Sequence, residues 1–297
     1  MRALLKSVHI RWGGINLAAL LATLTLQADL LPLWEATPVG LVGKVYHVSP
    51  VGDDGATGAV DAPLASIQAA VDRLQPGDTV LLREGVHTGT DPLAVAQVRA
   101  QGTVENWIRI ANFPGEKPVI QFSSQRGFSL QGVRYLVVEG IEFYGESDLI
   151  DFPEAFVHAE GFVHDDSPRI AKYFGVGMKV RSNDAGEHSH HLIIRDCRIH
   201  HTAGGGIATE RADYLLIENN EIFKTSYYSP WGESAISIWE SLNHDDRSDI
   251  YRTVIRGNRC YLNDNKVRFW MTKTFSDGNG IILDALRIDQ KVISDGY

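Results

Sequence analysis

Lys179 and Arg181 stand two residues apart in GVGMKVRS (175–182), a strand-like run, so both side chains leave the same face. A lysine crowded by a second cation can lose its proton and act as a base, while an arginine can grip a carboxylate through two parallel hydrogen bonds. Lys266 and Lys273, on a loop further along, are candidates for the same work. The three lysines have a plainer alternative as surface cations, which most lysines are. Asp277, Asn279 and Asp284 cluster the oxygen donors that Ca2+ accepts without strict geometry. DGNG at 277–280 is also an ordinary turn formula, so metal site and turn stand as alternatives. Trp231 and Trp239, with Tyr227 and Tyr228, offer flat faces for a ring-shaped ligand, or anchors that pack long loops down. Hydrolysis by paired carboxylates stays open through Glu210, Glu240 and Asp284, whose separation decides it. His188, His190, His191, His200 and His201 flank one strand without HxxxH spacing, and read as polar turn residues rather than metal ligands.

These side chains need a scaffold, and the chain supplies one by repetition. LVVEGIEF (136–143), LIIRDCRI (192–199), LLIENNEI (215–222) and TVIRGNRC (253–260) align without gaps at starts 56, 23 and 38 residues apart. The shortest step fits one coil of a parallel β-helix. The 38-residue step is then a coil with a long loop, and 56 is two coils or one with a large insertion. Leu136, Leu192, Leu215 and Thr253 form one interior column, Val138, Ile194, Ile217 and Ile255 another, and Phe143, Ile199, Ile222 and Cys260 a third. Gly140, Asp196, Asn219 and Gly257 fall at a common bend, each of a type that tolerates positive φ. Glu139, Arg195, Glu218 and Arg256 alternate in sign, as do Glu142, Arg198, Glu221 and Arg259, which predicts exposed salt-bridge ladders.

A further strand follows each unit, at 175–182, 204–211, 233–241 and 278–285, giving three strands per coil. Met178, Ile207, Ile236 and Ile281 point inward, as do Val180, Thr209, Ile238 and Leu283. Arg181, Glu210, Trp239 and Asp284 share an outward column. Rungs about 4.8 Å apart would put Glu210 and Asp284 about 10 Å from each other across Trp239, too far to share one ion. Long loops at 144–174, 223–232 and 261–277 lead into these strands and could wall a cleft. One short amphipathic helix is expected at 66–74, capped by Ser66, with Ile67, Ala70, Val71 and Leu74 on one face, to cover the N-terminal end; no other segment shows a long helical period. Cys197 and Cys260 lie in different columns and two coils apart, so they are expected to be unbridged.

Composition fixes the class of partner. The 297 residues are 44% hydrophobic and 22% charged, enough for a folded core and too apolar for disorder. With net charge −9, a nucleic acid or an anionic membrane surface is excluded as partner. Arg2, Lys6 and Arg11 precede the apolar run 15–26, with Ala28 as a cleavage residue, the layout of an export signal over 1–28. A secreted or periplasmic protein, with no other membrane attachment, follows. The alternative is an uncleaved anchor or a buried helix.

YHVSPVGDDG, PLASIQAAVDRLQPGDTVLLREGVH, GTVENWIRIANFPGEKPVI and LVVEGIEF resemble the N-terminal part of secreted right-handed parallel β-helix proteins of the pectate-lyase-like superfamily, over about 44–286. SDGNGIILD (276–284) is similar to the calcium-dependent pectate lyases of polysaccharide lyase family nine. The resemblance implies an all-β solenoid domain over 44–297 and a Ca2+-dependent lyase that cuts an acidic, uronate-containing polysaccharide by β-elimination. Such a lyase needs a group to neutralise the C6 carboxylate, a base for the C5 proton and an acid or solvent for the leaving oxygen. Lys179, Arg181, Lys266 and Lys273 are the candidate catalytic groups, Glu210, Trp231 and Trp239 the candidate sugar contacts, and Asp277, Asn279 and Asp284 the candidate Ca2+ ligands. A non-catalytic glycan-binding or surface β-helix is the rival, with a glycoside hydrolase or uronate epimerase on the same fold as further alternatives. The last strand ends near Ala285 with no cap after it, so an open C-terminal edge, a truncated solenoid and poor solubility are expected.

Overall fold

A computed structural model describes residues 43–164 and 168–285; the export segment expected at 1–28 and the tail after 285 lie outside the described residues. The described chain winds into a right-handed parallel β-helix with three sheets. The first sheet contains β1 (Val45–Val48), β2 (Thr79–Leu82), β5 (Ile108–Asn112), β8 (Arg134–Glu139), β11 (His190–Arg195), β14 (Asp213–Glu218) and β17 (Thr253–Arg256). The second contains β3 (Gly85–His87), β6 (Pro118–Gln121), β9 (Glu142–Tyr144), β12 (Arg198–His200), β15 (Glu221–Phe223) and β18 (Arg259–Tyr261). The third contains β4 (Ala96–Val98), β7 (Arg126–Gln131), β10 (Val176–Arg181), β13 (Ile207–Glu210), β16 (Ile236–Trp239) and β19 (Ile281–Asp284). Each coil visits the three sheets in that order. Among residues 247–251, Arg247 pairs with Asp249 at 3.0 Å.

All three interior columns read from the repeat are paired in register, Leu136 to Leu192 to Leu215 to Thr253 among them. Because β8 pairs directly with β11, the 56-residue step is one coil with a large insertion. The ladders form as read: Arg195 bridges Glu139 at 2.6 Å and Glu218 at 3.8 Å, and Arg198 bridges Glu142 at 3.0 Å and Glu221 at 3.1 Å. Gly140, Asp196, Asn219 and Gly257 all hold positive φ, between 53° and 70°. Three further columns of left-handed residues turn the chain as well: Tyr135, His191 and Tyr214; His201, Lys224 and Leu262; Gly132, Arg211, Glu240 and Ala285. Most of these carry side chains that disfavour this conformation, so neighbouring rungs impose it.

The N-terminal helix, α1 (Ile67–Val71), is shorter than the expected 66–74. Ser66 Oγ accepts the Ala69 N–H at 3.1 Å, and Ile67, Ala70, Val71 and Leu74 are buried, packing the helix onto β1, β2 and β4. A second helix, α2 (Phe152–Val163), forms in the 144–174 loop, where the sequence shows no long helical period. Its buried stripe is Ala155, His158, Ala159 and Val163, while Phe152 and Val157 face outward, so small or polar residues lie inside and apolar ones outside. That inversion hides the helical period. Cys197 and Cys260 are free thiols, and burial pushes Cys197 up to about 12. In the last described coil Ile281 and Leu283 hold their inward columns yet are 48% and 49% exposed.

Candidate functional site

The outward face of the third sheet collects most of the groups with chemistry. Two columns run across its rungs: Ser129, Lys179, Ala208, Ser237 and Ile282, and beside them Gln131, Arg181, Glu210, Trp239 and Asp284. Lys179 Nζ lies 4.0 Å from Glu210 Oε2 on the next rung. Arg181 reaches Asp184 at 3.6 Å and keeps its Nε buried without a hydrogen-bond partner. Trp239 is 38% exposed between Glu210 and Asp284. These coils are consecutive, so the two carboxylates stand two rungs apart, about 9.6 Å.

Beneath this face lie two charges that the sequence reading missed. Arg126 is buried on β7 and donates to Ser129 Oγ at 3.2 Å, an oxygen that also accepts from Gln131 Nε2 at 2.9 Å. Burial, then the nearby Arg181, pulls its guanidinium below the usual range. Glu233 precedes β16, and its Oε2 accepts the Gly205 N–H at 3.1 Å. Burial pushes its carboxyl up, against the opposing pull of Lys179 and Arg126. Arg126 escaped notice because RGFSLQ at 126–131 is a rung of the same sheet that the repeat alignment did not include. Glu233 sits where the neighbouring coils have Gly204 and Gly278, and that contrast was the available signal.

The remaining sequence candidates separate. Lys266 Nζ stands 3.9 Å from the centre of the Tyr227 ring, and Lys273 Nζ donates to the Val163 carbonyl at the C-terminal end of α2. Both hold loops in place. Trp231 packs tilted against Phe174, ring centres 4.6 Å apart, with Arg169 over its ring at 5.3 Å, beside the satellite cluster of Ala155, Tyr173, Phe174, Ala203 and Tyr228, so it is an anchor here. Asp277 and Asn279 lie in a turn: Asp277 has φ 67° and accepts from Ser276 Oγ at 2.7 Å, and Asn279 N donates to Ser234 Oγ at 3.2 Å. Asp284 lies at the far end of β19, about 10 Å beyond Ile281 along the strand. The three proposed Ca2+ ligands therefore do not meet as one set. Among the described residues no group of three or more His, Cys, Asp or Glu is placed to hold a metal ion. Glu240 is committed to Arg211 at 2.7 Å, which removes it from a carboxylate pair with Glu210.

The histidines form packed clusters. His190 Nδ1 meets His191 Nδ1 at 2.7 Å, His244 stacks on His190 at 3.8 Å, and Tyr214 stacks on His191 at 4.2 Å. Burial, with neighbouring cationic groups, pushes His190 down to about 3 and His191 to about 4. Arg252 and Tyr214 both hold Asp245, fastening this loop to the first sheet.

Comparison with known proteins agrees with this architecture. Pectate lyase PEL9 of Emericella nidulans is 40% identical over 83 residues, 28% of this chain and 19% of that protein. Pectate lyase L of Thermoclostridium stercorarium is 33% identical over 102 residues, 34% of this chain and 8% of that protein. The chain thus matches under a fifth of the length of either relative. The crystal structure of pectate lyase Pel9A is 18% identical, with a TM-score of 0.49 over 85% of this chain and 62% of that one. The family model described as "Pel9A-like, right handed beta helix region" matches residues 46–235, from β1 to the threshold of β16, and the chain belongs to that family.

Proposed function

We propose that this protein is an exported polysaccharide lyase acting on an acidic, uronate-containing polysaccharide, its solenoid over 44–297 following an export segment at 1–28. One observation carries the reading: in a chain of net charge −9, the third sheet gathers Lys179, Arg181 and the buried Arg126 on two adjoining rungs. A polyanion needs local cations of this kind, which here stand among Glu210 and the buried Glu233. Arg181 would hold the C6 carboxylate through its guanidinium, and the Lys179 amine would take the C5 proton. The C5–H electrons then form the C4–C5 double bond as the C4–O bond breaks, and solvent protonates the leaving oxygen. Trp239 offers a sugar ring an exposed aromatic face beside these groups.

No step is routed through Ca2+, because Asp284 is parted from Asp277 and Asn279. Calcium dependence would have to rest on the Asp277–Asn279 turn and its carbonyls. The deciding experiment incubates the protein with a panel of uronate polysaccharides, with and without chelator, and follows absorbance of the unsaturated uronate product. The chromophore is expected. Reducing ends without it identify a hydrolase, for which the roughly 9.6 Å between Glu210 and Asp284 is near the upper limit of an inverting pair. Binding without either product identifies a glycan-binding protein. An Asp277→Ala variant with unchanged calcium titration leaves that turn a plain turn.

A further inference from the structure

We infer that the cleft of about 260 Å3 beside the leading ends of β4 and β7 is a subsite for a neutral, hydroxyl-bearing sugar residue of the polymer. The inference rests on the lyase reading only for where the reacting bond lies. Loops of three successive coils build the cleft, through residues 88–92, 121–124, Glu146 and Ala171. Its volume is below the usual range for ligand pockets, so it suits one sugar ring rather than an oligosaccharide.

Its chemistry is the reverse of that around Lys179. The lining contains two carboxylates, Asp91 and Glu146, the hydroxyls of Thr88, Thr90, Ser123 and Ser124, and no Lys, Arg or His. Both carboxylates are already fixed: Glu146 Oε1 accepts Gln121 Nε2 at 2.5 Å, while Asp91 accepts Leu93 N at 2.8 Å and Gln97 Nε2 at 2.7 Å. An ionised carboxylate accepts hydrogen bonds and cannot donate, so its remaining lone pairs want O–H or N–H donors. Sugar hydroxyls provide these. A uronate carboxylate provides none and meets two like charges in the same small space.

Position then gives the substrate class. β7 runs from the cleft edge at Arg126 to Ser129, which pairs with Lys179, a strand length of about 10 Å. A ring in the cleft therefore sits at least one sugar residue away from the bond cut at Lys179. A pure polyuronate would present a carboxylate there, whereas a polymer in which neutral sugars alternate with uronates would present hydroxyls.

Calorimetric titration of the full chain with two probes of equal length, an alternating neutral–uronate oligosaccharide and a homo-oligouronate, tests this. The alternating probe should bind at least ten-fold more tightly. Ser123→Trp, at an exposed position on the rim, should lower that affinity at least ten-fold and leave the homo-oligouronate unchanged. Glu146→Asn, which retains a residue type tolerant of the φ of 55° there, should narrow the preference by improving homo-oligouronate binding. Equal affinity for both probes overturns the subsite, as does an alternating-probe affinity that Ser123→Trp leaves unchanged. Preference without any unsaturated product removes the lyase reading alone; unsaturated product without preference removes the subsite alone.

Discussion

The Glu233 carboxylate fills the space in front of Gly204: a Cβ added to Gly204 would stand 2.3 Å from Glu233 Oε2. The neighbouring Gly205 N–H holds that same oxygen, so the carboxylate cannot swing clear without losing its bond. Gly204→Ala is therefore an overpacking change at a buried charge, expected to cost about 1–3 kcal/mol. A thermal melt reads it as a clear fall in Tm, and an unshifted melt would mean that Glu233 has another place to go.

Glu233→Gln should behave differently. Burial raises the Glu233 pKa above its unfolded value, so its contribution to stability is complete below the unfolded value and is lost as pH rises through the folded one. The amide does not titrate. Melts from pH 4.5 upward should thus show the variant losing less stability than the parent as pH rises, and parallel curves would contradict the burial argument.

The histidines set the opposite limb. His47, His87, His158, His188, His190, His191, His200 and His201 all have lowered pKa values, burial being the largest cause in each. A neutral buried histidine stabilises the fold above its unfolded pKa of about 6.5, and that stability drains as pH falls toward the folded value. His190 and His191, at about 3 and about 4, dominate. Their surroundings also contain His244, Tyr135, Tyr214, Asp245, Arg134 and Arg252. Tm should fall steeply from pH 6.5 to 4. Replacing His190 and His191 by Asn, which tolerates the φ of 55° at position 191, should flatten that slope.

The sequence made the fold legible wherever one physical constraint recurs coil after coil. Ile194, Ile217 and Ile255 share a column because a parallel rung repeats its register, and Glu139 and Arg195 pair for the same reason. The helix α2 was hidden because it occurs once, with alanines inside and Val157 outside. The left-handed corners at Tyr135, His191 and Tyr214 were hidden because residue type does not favour them; stacked rungs impose them. For the site, Lys179, Arg181, Glu210 and Trp239 could be placed on one face from alternation alone. Loop residues could not, since alternation carries no information about Lys273 reaching α2 or Trp231 reaching Phe174.

Lys273 and Lys266 should prove structural. Lys273 donates to a carbonyl at the C-terminal end of α2, where a cation also meets the negative end of the helix dipole. Lys273→Met is expected to cost about 0.3–1 kcal/mol and to speed proteolysis of the 144–174 insertion. Lys266→Met removes the cation over Tyr227, a loss of about 0.5–1 kcal/mol. Turnover per folded molecule should stay within two-fold in both. A hundred-fold loss of kcat in either variant would move the base onto the 261–277 loop.

Lys179 and Arg181 should divide the work in a way kinetics can separate. Lys179→Met removes the partner of Glu210 at 4.0 Å, a pair worth under about 1 kcal/mol, and the cation that opposes burial at Glu233, so the fold should survive with a modest fall in Tm. If its amine takes the C5 proton, kcat should fall by about 10²–10⁴ while KM barely moves. Arg181→Lys keeps the charge and loses the planar fork that matches a carboxylate, so its main effect should be a raised KM. The Lys179 effect should be the same on a short uronate substrate as on the polymer, because the proton is taken at the reacting ring. An unchanged kcat in Lys179→Met, with the chromophore still produced, would take the base away from this rung. An unchanged KM in Arg181→Lys would mean that the C6 carboxylate is held by another group on the same face.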